Sequence, residues 1–363
     1  MGATTFGVRS GGRRLRSSSG LLTVRIGGLS TRVDARAVVV SIGLALVVAL
    51  GLAWSVSVGD FPIPITDVVG ELTGLGGAGR SELIIRQLRL PRALTGVLVG
   101  AALGVSGQIF QRMVRNPLAS PDILGVSSGA AAAAVFAIVI VQAASTAVTG
   151  FALGGAVVAV AAIYVLALKQ GVSSYRLVLI GIGITAMLDS VVAYLLTRAQ
   201  LFDAQRAAVW LTGSLNGRGW DFVGPLFASL AVLLPLAIVA TRQLRALELG
   251  DECAAGLGVG LTRSKLALTL AGAGLAAVAT AAAGPVVFVA LAAPLIARRL
   301  VGGRCVALIP SALVGAAVMV FADLAARRLF TPTELPVGVV TAIVGAPILL
   351  WLLVRANRIG TGG

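Results

Sequence analysis

Asp189 and Asp323 stand alone inside long apolar stretches, while Glu248, Asp251 and Glu252 gather in a polar segment between two others. Carboxylates that face each other from two helices could share a proton in an intramembrane hydrolase, and carboxylates near the middle of a bilayer could carry ions. Both readings have thin support. A hydrolase would need Asp189 and Asp323 to meet from opposite halves of the chain, and ion-coupled carriers keep several ionisable groups near the midplane. Each aspartate is therefore expected to cap or tie neighbouring helices through Ser, Thr or backbone donors. The sequence has no histidine and two cysteines, Cys253 and Cys305. Histidine-based acid–base catalysis, histidine metal ligation and a disulfide framework fall away with that composition. No enzyme activity, metal site or cofactor is expected.

The elements around these residues are set by the solvent. A chain of 363 residues that is 58% hydrophobic and 12% charged, with a mean hydropathy of +1.00, is not a water-soluble domain. The expectation is an all-α, polytopic membrane protein. Apolar stretches long enough to cross a bilayer as helix lie at 37–58, 93–110, 123–141, 148–168, 177–196, 223–240, 306–321 and 337–354. The charge-free run 266–297 is too long for one span and should break at Gly284-Pro285, giving a full helix and a short one. That makes ten helices, in a domain covering 37–358, with both termini on one side. Most of the 29 Lys and Arg fall on that side, which puts the termini in the cytoplasm and the chain in the inner, cytoplasmic membrane among lipid. The net charge of +15 then records insertion, and no nucleic-acid partner is expected. Residues 1–36, rich in Arg, Ser and Gly, are expected to form a disordered basic tail; the run 37–58 begins too late and is too long for a cleaved signal peptide. Within the spans, Gly96, Gly100, Gly104 and Gly107 repeat at small-residue spacing that lets helix backbones approach closely.

Three connecting segments carry more information. Residues 111–125, QRMVRNPLASPDILG, turn the chain back into the membrane through two prolines. Residues 198–220 are amphipathic and suit a short helix lying on the outer surface, near the mouth of a pathway. Residues 241–265, TRQLRALELGDECAAGLGVGLTRSK, combine a helical apolar spacing (Leu244, Leu247, Leu249), the acidic knot and a Gly256-Leu257-Gly258 break. A connector would need far fewer residues, so this segment reads as a docking element for a soluble partner.

At these residues the chain resembles the FecCD family, the permease subunits of ATP-binding-cassette importers for ferric siderophores, haem and cobalamin. The likeness rests on Arg89-Leu90-Pro91-Arg92, Gly100 to Gly107, Asn116-Pro117-Leu118-Ala119, Trp210 with Gly213, Leu249-Gly250-Asp251, Gly284-Pro285, Ala322-Asp323, and Glu334-Leu335-Pro336-Val337-Gly338. One departure is Leu295 after Pro294, where members commonly place histidine. The resemblance implies a ten-helix subunit that pairs with a copy or paralogue around a pathway lined by its fifth and tenth helices and by a short outer helix at 203–213. It implies an ATPase dock at Leu249, Gly250, Asp251, Glu252, Ala254, Gly256, Leu257 and Gly258, seated on one of two cytoplasmic ATPase subunits. It further implies a cytoplasmic gate at Asn116, Leu118, Ser173 and Ser174, and contact with an extracytoplasmic substrate-binding protein through Arg80 and Arg327. Ferric siderophores are the expected cargo. Haem and cobalamin remain alternatives, with an ion-coupled secondary transporter the rival from another class.

Overall fold

The computed structural model describes residues 21–26, 29–59, 61, 63–73, 80–168, 174–302, 306–330 and 333–360. It begins with an antiparallel pair, β1 (Leu21–Ile26) and β2 (Leu29–Asp34), in register from Leu21 opposite Asp34 to Ile26 opposite Leu29. This corrects the expectation of disorder over that part of the tail. Val24, Ile26, Thr31 and Val33 are β-branched, and Gly27-Gly28 separates the two runs by the two residues that favour a hairpin.

The helices follow in chain order: α1 (Ala35–Ser57), α2 (Ile65–Thr73), α3 (Arg80–Leu83), a π turn (Ile84–Arg89) and α4 (Leu90–Val114). After a 3-10 turn (Pro121–Leu124) come α5 (Val126–Val139), α6 (Ser145–Leu168), α7 (Ser174–Arg198), α8 (Leu201–Leu211) and α9 (Trp220–Ala240). Two short helices, α10 (Leu244–Glu248) and α11 (Asp251–Gly256), precede α12 (Leu261–Ala283), α13 (Val289–Val301), α14 (Leu308–Arg328) and α15 (Val337–Gly360). Each expected span has its helix: α1, α4, α5, α6, α7, α9, α12, α13, α14 and α15. Among the described residues, 7 are long and apolar enough to cross a membrane. The break at Gly284-Pro285 falls where expected, between α12 and a 13-residue α13. Helix α5 is shorter than its span, at 14 residues, because Pro121 opens a 3-10 turn and Gly125, left-handed at φ +61°, restarts the chain.

Helix α4 is the axis of the bundle. It is apolar all round and buried along nearly its whole length, packed between α12, α13 and α14. A methyl group at Gly100 or Gly104 would overlap the carbonyl oxygen of Gly315 or Ser311 on α14, and one at Gly107 that of Ala290 on α13. The small residues thus set how closely these backbones meet, as the spacing predicts. Pro91 shapes the entry to the same helix. It has no N–H for the carbonyl four residues back, and the chain answers by widening into the π turn, in which the Leu90 amide donates to Ile85 five residues back.

Candidate functional site

Residues 241–265 fold into a helical hairpin at one end of the bundle. Leu244, Leu247 and Ala254 point into the main core and are fully or nearly fully buried. Between α10 and α11, Gly250 turns the chain at φ +106°, a conformation that a side chain would strain. Two ion pairs fasten the hairpin. Glu248 binds Arg112 at the last turn of α4, and Asp251 takes the Lys265 ammonium at 2.6 Å, with that lysine side chain only 4% exposed. What the hairpin leaves outside is apolar: Leu249 is 64% exposed and Leu257 66%. The sequence spacing grouped Leu249 with Leu244 and Leu247. Five residues along a helix turn a side chain about 140° from Leu244, so Leu249 faces away from the two that anchor it. Glu252, Cys253, Gly256 and Gly258 share the exposed rim.

The residues expected to form a gate are only partly gathered among the described residues. Arg115 ends α4 in the left-handed region, and the Asn116 carboxamide accepts from the Leu118 amide at 2.9 Å, so Asn116 shapes the turn that displays a part-exposed Leu118. Ser174 opens α7, but its side chain, like the whole of Ser173, lies outside the described residues.

The opposite end is an ion network. Arg92 meets Asp323 at 3.0 Å and Glu334 at 3.0 Å, and Arg327 meets Asp323 at 3.1 Å. Arg327 also donates to the Ser55 hydroxyl at 2.6 Å and to carbonyls of Ser55 and Val58. Arg89 spans the end of α1, donating to the carbonyls of Val56, Ser57 and Phe61. Asp323 does tie helices, but through two arginines and not through Ser, Thr or backbone donors. Arg327, expected on the outer face, is 11% exposed and bound inside this network, while Arg80 starts α3 with its side chain outside the described part. Asp189 caps nothing among the described residues: it stands exposed on α7 beside Ser190. Reading motifs alone missed Arg112, Lys265 and the Arg92 pairing. Each cation bordering an apolar run needs a partner, which is the signal that could have flagged them.

Beside the network, α8 and the loop after it wall a cleft of about 850 Å³, lined by Phe202, Arg206, Trp210, Asn216, Arg218 and Leu335 among others. The short helix expected at 203–213 is α8, two residues earlier.

This fold has a solved counterpart. A metal-chelate type ABC transporter in an inward-facing conformation superimposes with a TM-score of 0.78 over 87% of this chain and 99% of its own, at 27% identity. The architecture is that of the membrane-spanning permease of an ABC transporter, a transport component. Residues 45–355 match the model of the FecCD transport family, and the chain belongs to that family. The ferric enterobactin transport system permease protein FepG of Escherichia coli (strain K12) is 41% identical over 306 residues, 84% of this chain and 92% of the relative. The achromobactin transport system permease protein CbrC of Dickeya dadantii (strain 3937) is 41% identical over 322 residues, 88% of this chain and 92% of the relative.

Proposed function

We propose that this chain is one membrane-spanning half of an ATP-driven importer for ferric siderophores, set in the inner membrane with both termini cytoplasmic. The observation that carries the reading is the stapled hairpin with Leu249 and Leu257 outside it. Two leucines held clear of a core by a rigid, ion-paired frame form an anchor for a soluble partner. That partner is the ATPase subunit, two per assembly, where nucleotide hydrolysis takes place. Hairpin motion passes through Glu248 and Arg112 to α4, the helix packed against α12, α13 and α14. The permease does no bond chemistry; it supplies two packings whose balance nucleotide and cargo shift. The Leu118 turn, with Ser173 and Ser174, forms the cytoplasmic gate.

A second permease subunit covers α7. Between residues 37 and 50 the exposed side chains of α1 are aliphatic, Val39, Ile42, Leu46 and Leu50 among them, as lipid requires. The exposed face of α7 instead holds Asp189 and Ser190, and a carboxylate turned to hydrocarbon is costly. That face suits a pathway between two subunits. The α8 end receives the substrate-binding protein, with Arg80 as a contact; Arg327 contributes by fixing the helix ends and not by direct contact.

The cargo assignment draws on relatives that transport ferric enterobactin and achromobactin. Uptake of radiolabelled ferric siderophore by cells with and without this subunit tests it: the expected result is uptake that needs the subunit and ATP. Uptake that survives ATP depletion but collapses with an ionophore would overturn it.

A further inference from the structure

Arg218 is a recessed cation at the α8 end that the ion network among the described residues does not use. Arg89, Arg92 and Arg327 are committed to carbonyls and carboxylates, and Arg206 pairs with Asp203 at 3.7 Å and donates to the Ala143 carbonyl. Arg218 has no ion pair and no side-chain hydrogen bond among the described residues, and its Nε is buried without a partner. Its guanidinium lies 4.3 Å from the centroid of the Phe222 ring, which holds it by cation–π attraction and supplies no counter-charge. Burial lowers the guanidinium to a pKa of about 10, still protonated at neutral pH.

Its position gives this orphan charge a use. Arg218 lies in the wall of the 850 Å³ cleft and of an adjoining one of about 450 Å³, and the two share Asn216, Gly217, Arg218 and Glu334. Glu334, the carboxylate they share, is engaged by Arg92. The larger cleft has the volume of a small-molecule site and presents aromatic and apolar walls from Phe202, Trp210 and Leu335. A half-buried guanidinium whose Nε is closed off from water without a partner is costly until an anion supplies one, and its planar fork suits carboxylate or catecholate oxygens.

We propose that Arg218 is a specificity residue for cargo: it receives an acidic group of a negatively charged, ring-bearing ferric chelate, while Trp210 and Phe202 take the rings. This rests on the importer reading above and adds the sign of the charge that the pathway admits. A small anion is favoured over an acidic side chain of the binding protein because the guanidinium is recessed in a cleft wall, backed by Phe222, and not set on a projecting surface.

The test uses the whole importer, with its ATPase and binding protein, in proteoliposomes. Uptake of an anionic ferric tris-catecholate is compared with that of a neutral ferric tris-hydroxamate, for wild type, R218Q and R218K. The expected result is a rise in KM of roughly tenfold or more for the anionic chelate in R218Q, little change for the neutral one, and recovery of most of the loss in R218K. Asn216→Asp, which sets a carboxylate beside the guanidinium, should penalise the anion in the same direction, and it serves if R218Q does not accumulate in the membrane. Equal loss for both chelates overturns the proposal as a structural effect. Weakened docking of loaded and empty binding protein alike overturns it in favour of a protein contact, and unchanged anion uptake overturns it outright. Wild-type protein that moves neither chelate refutes the importer reading instead. In that case equilibrium dialysis of the tris-catecholate against detergent-solubilised wild type and R218Q decides the anion claim, with equal binding overturning it.

Discussion

Arg92 and Arg112 stand twenty residues apart on α4, about 30 Å at 1.5 Å per residue, the thickness of a bilayer core. Each closes its end of the helix with carboxylates, yet the two ends differ in what surrounds the charge. Around Arg92 the network is mostly inward: Asp323 is 3% exposed and Arg327 11%, the neighbouring carbonyls are taken up by Arg89 and Arg327, and Glu334, at 41%, is the partner that reaches outward. Around Arg112 the ion pair holds a hairpin whose tip is apolar and open. The first arrangement locks helices together; the second fastens a handle. Under the function proposed above, a rigid end and a graspable end on one buried helix form a lever, whose two ends should then be separable by substitution.

The largest effect is expected from Asp323→Ala. It leaves Arg92 and Arg327 buried against each other with only Glu334 to share, which costs about 3–5 kcal/mol. Thermal unfolding of the purified subunit in detergent should shift sharply down, and Arg92→Leu with Asp323→Leu together should cost less than the sum of the single changes. If Asp323→Ala unfolds at the wild-type temperature, the α8 end is not the lock described.

The opposite signature is expected at the other end. Leu249→Asp with Leu257→Asp removes no buried contact, so unfolding should be unchanged, while permease-stimulated ATP hydrolysis falls roughly tenfold or more. A variant that loses stability but keeps coupling would invert the comparison.

Much of this was legible from the chain and some was not, for definable reasons. Ten apolar stretches and the Gly284-Pro285 break could be read because bilayer thickness imposes length on each helix separately. The glycine rows on α4 could be read as contact faces, though not as contacts with Gly315 or Ser311. The partner of Arg92 could not be read, since Asp323 lies 231 residues away and only tertiary packing joins them. Arg327 follows the same rule: a basic residue at a span end reads as exposed until its carboxylate is found. In the hairpin, apolar spacing marked the segment but grouped Leu249 with the buried Leu244 and Leu247, although five residues of helical turn set it about 140° away from Leu244. The tail hairpin escaped because composition was weighed there and alternation was not.

A third, smaller effect separates the staple from the surface it supports. Asp251→Asn leaves Lys265 without its carboxylate in a nearly closed site, while the Asp251 side chain is itself 43% exposed, so water offsets part of the loss. A cost of about 1 kcal/mol and a modest loss of ATPase coupling are expected. Full coupling at unchanged stability would show that the hairpin holds its shape without this pair.

The smallest effect belongs to Glu252, an exposed carboxylate on the rim that makes no ion pair among the described residues. Reversing it in Glu252→Lys should leave unfolding alone. If the ATPase approaches along that rim, the reversal acts on encounter and orientation more than on the bound state. Association should then slow by a few-fold at low ionic strength, with little change in dissociation. The difference should shrink as salt is raised toward the molar range, where the Debye length falls to about 3 Å. An effect of Glu252→Lys that persists in high salt would mean that the acidic knot makes a close, desolvated contact. The handle would then be gripped by charge as well as by its two leucines, and the contrast between the two ends of α4 would narrow to burial alone.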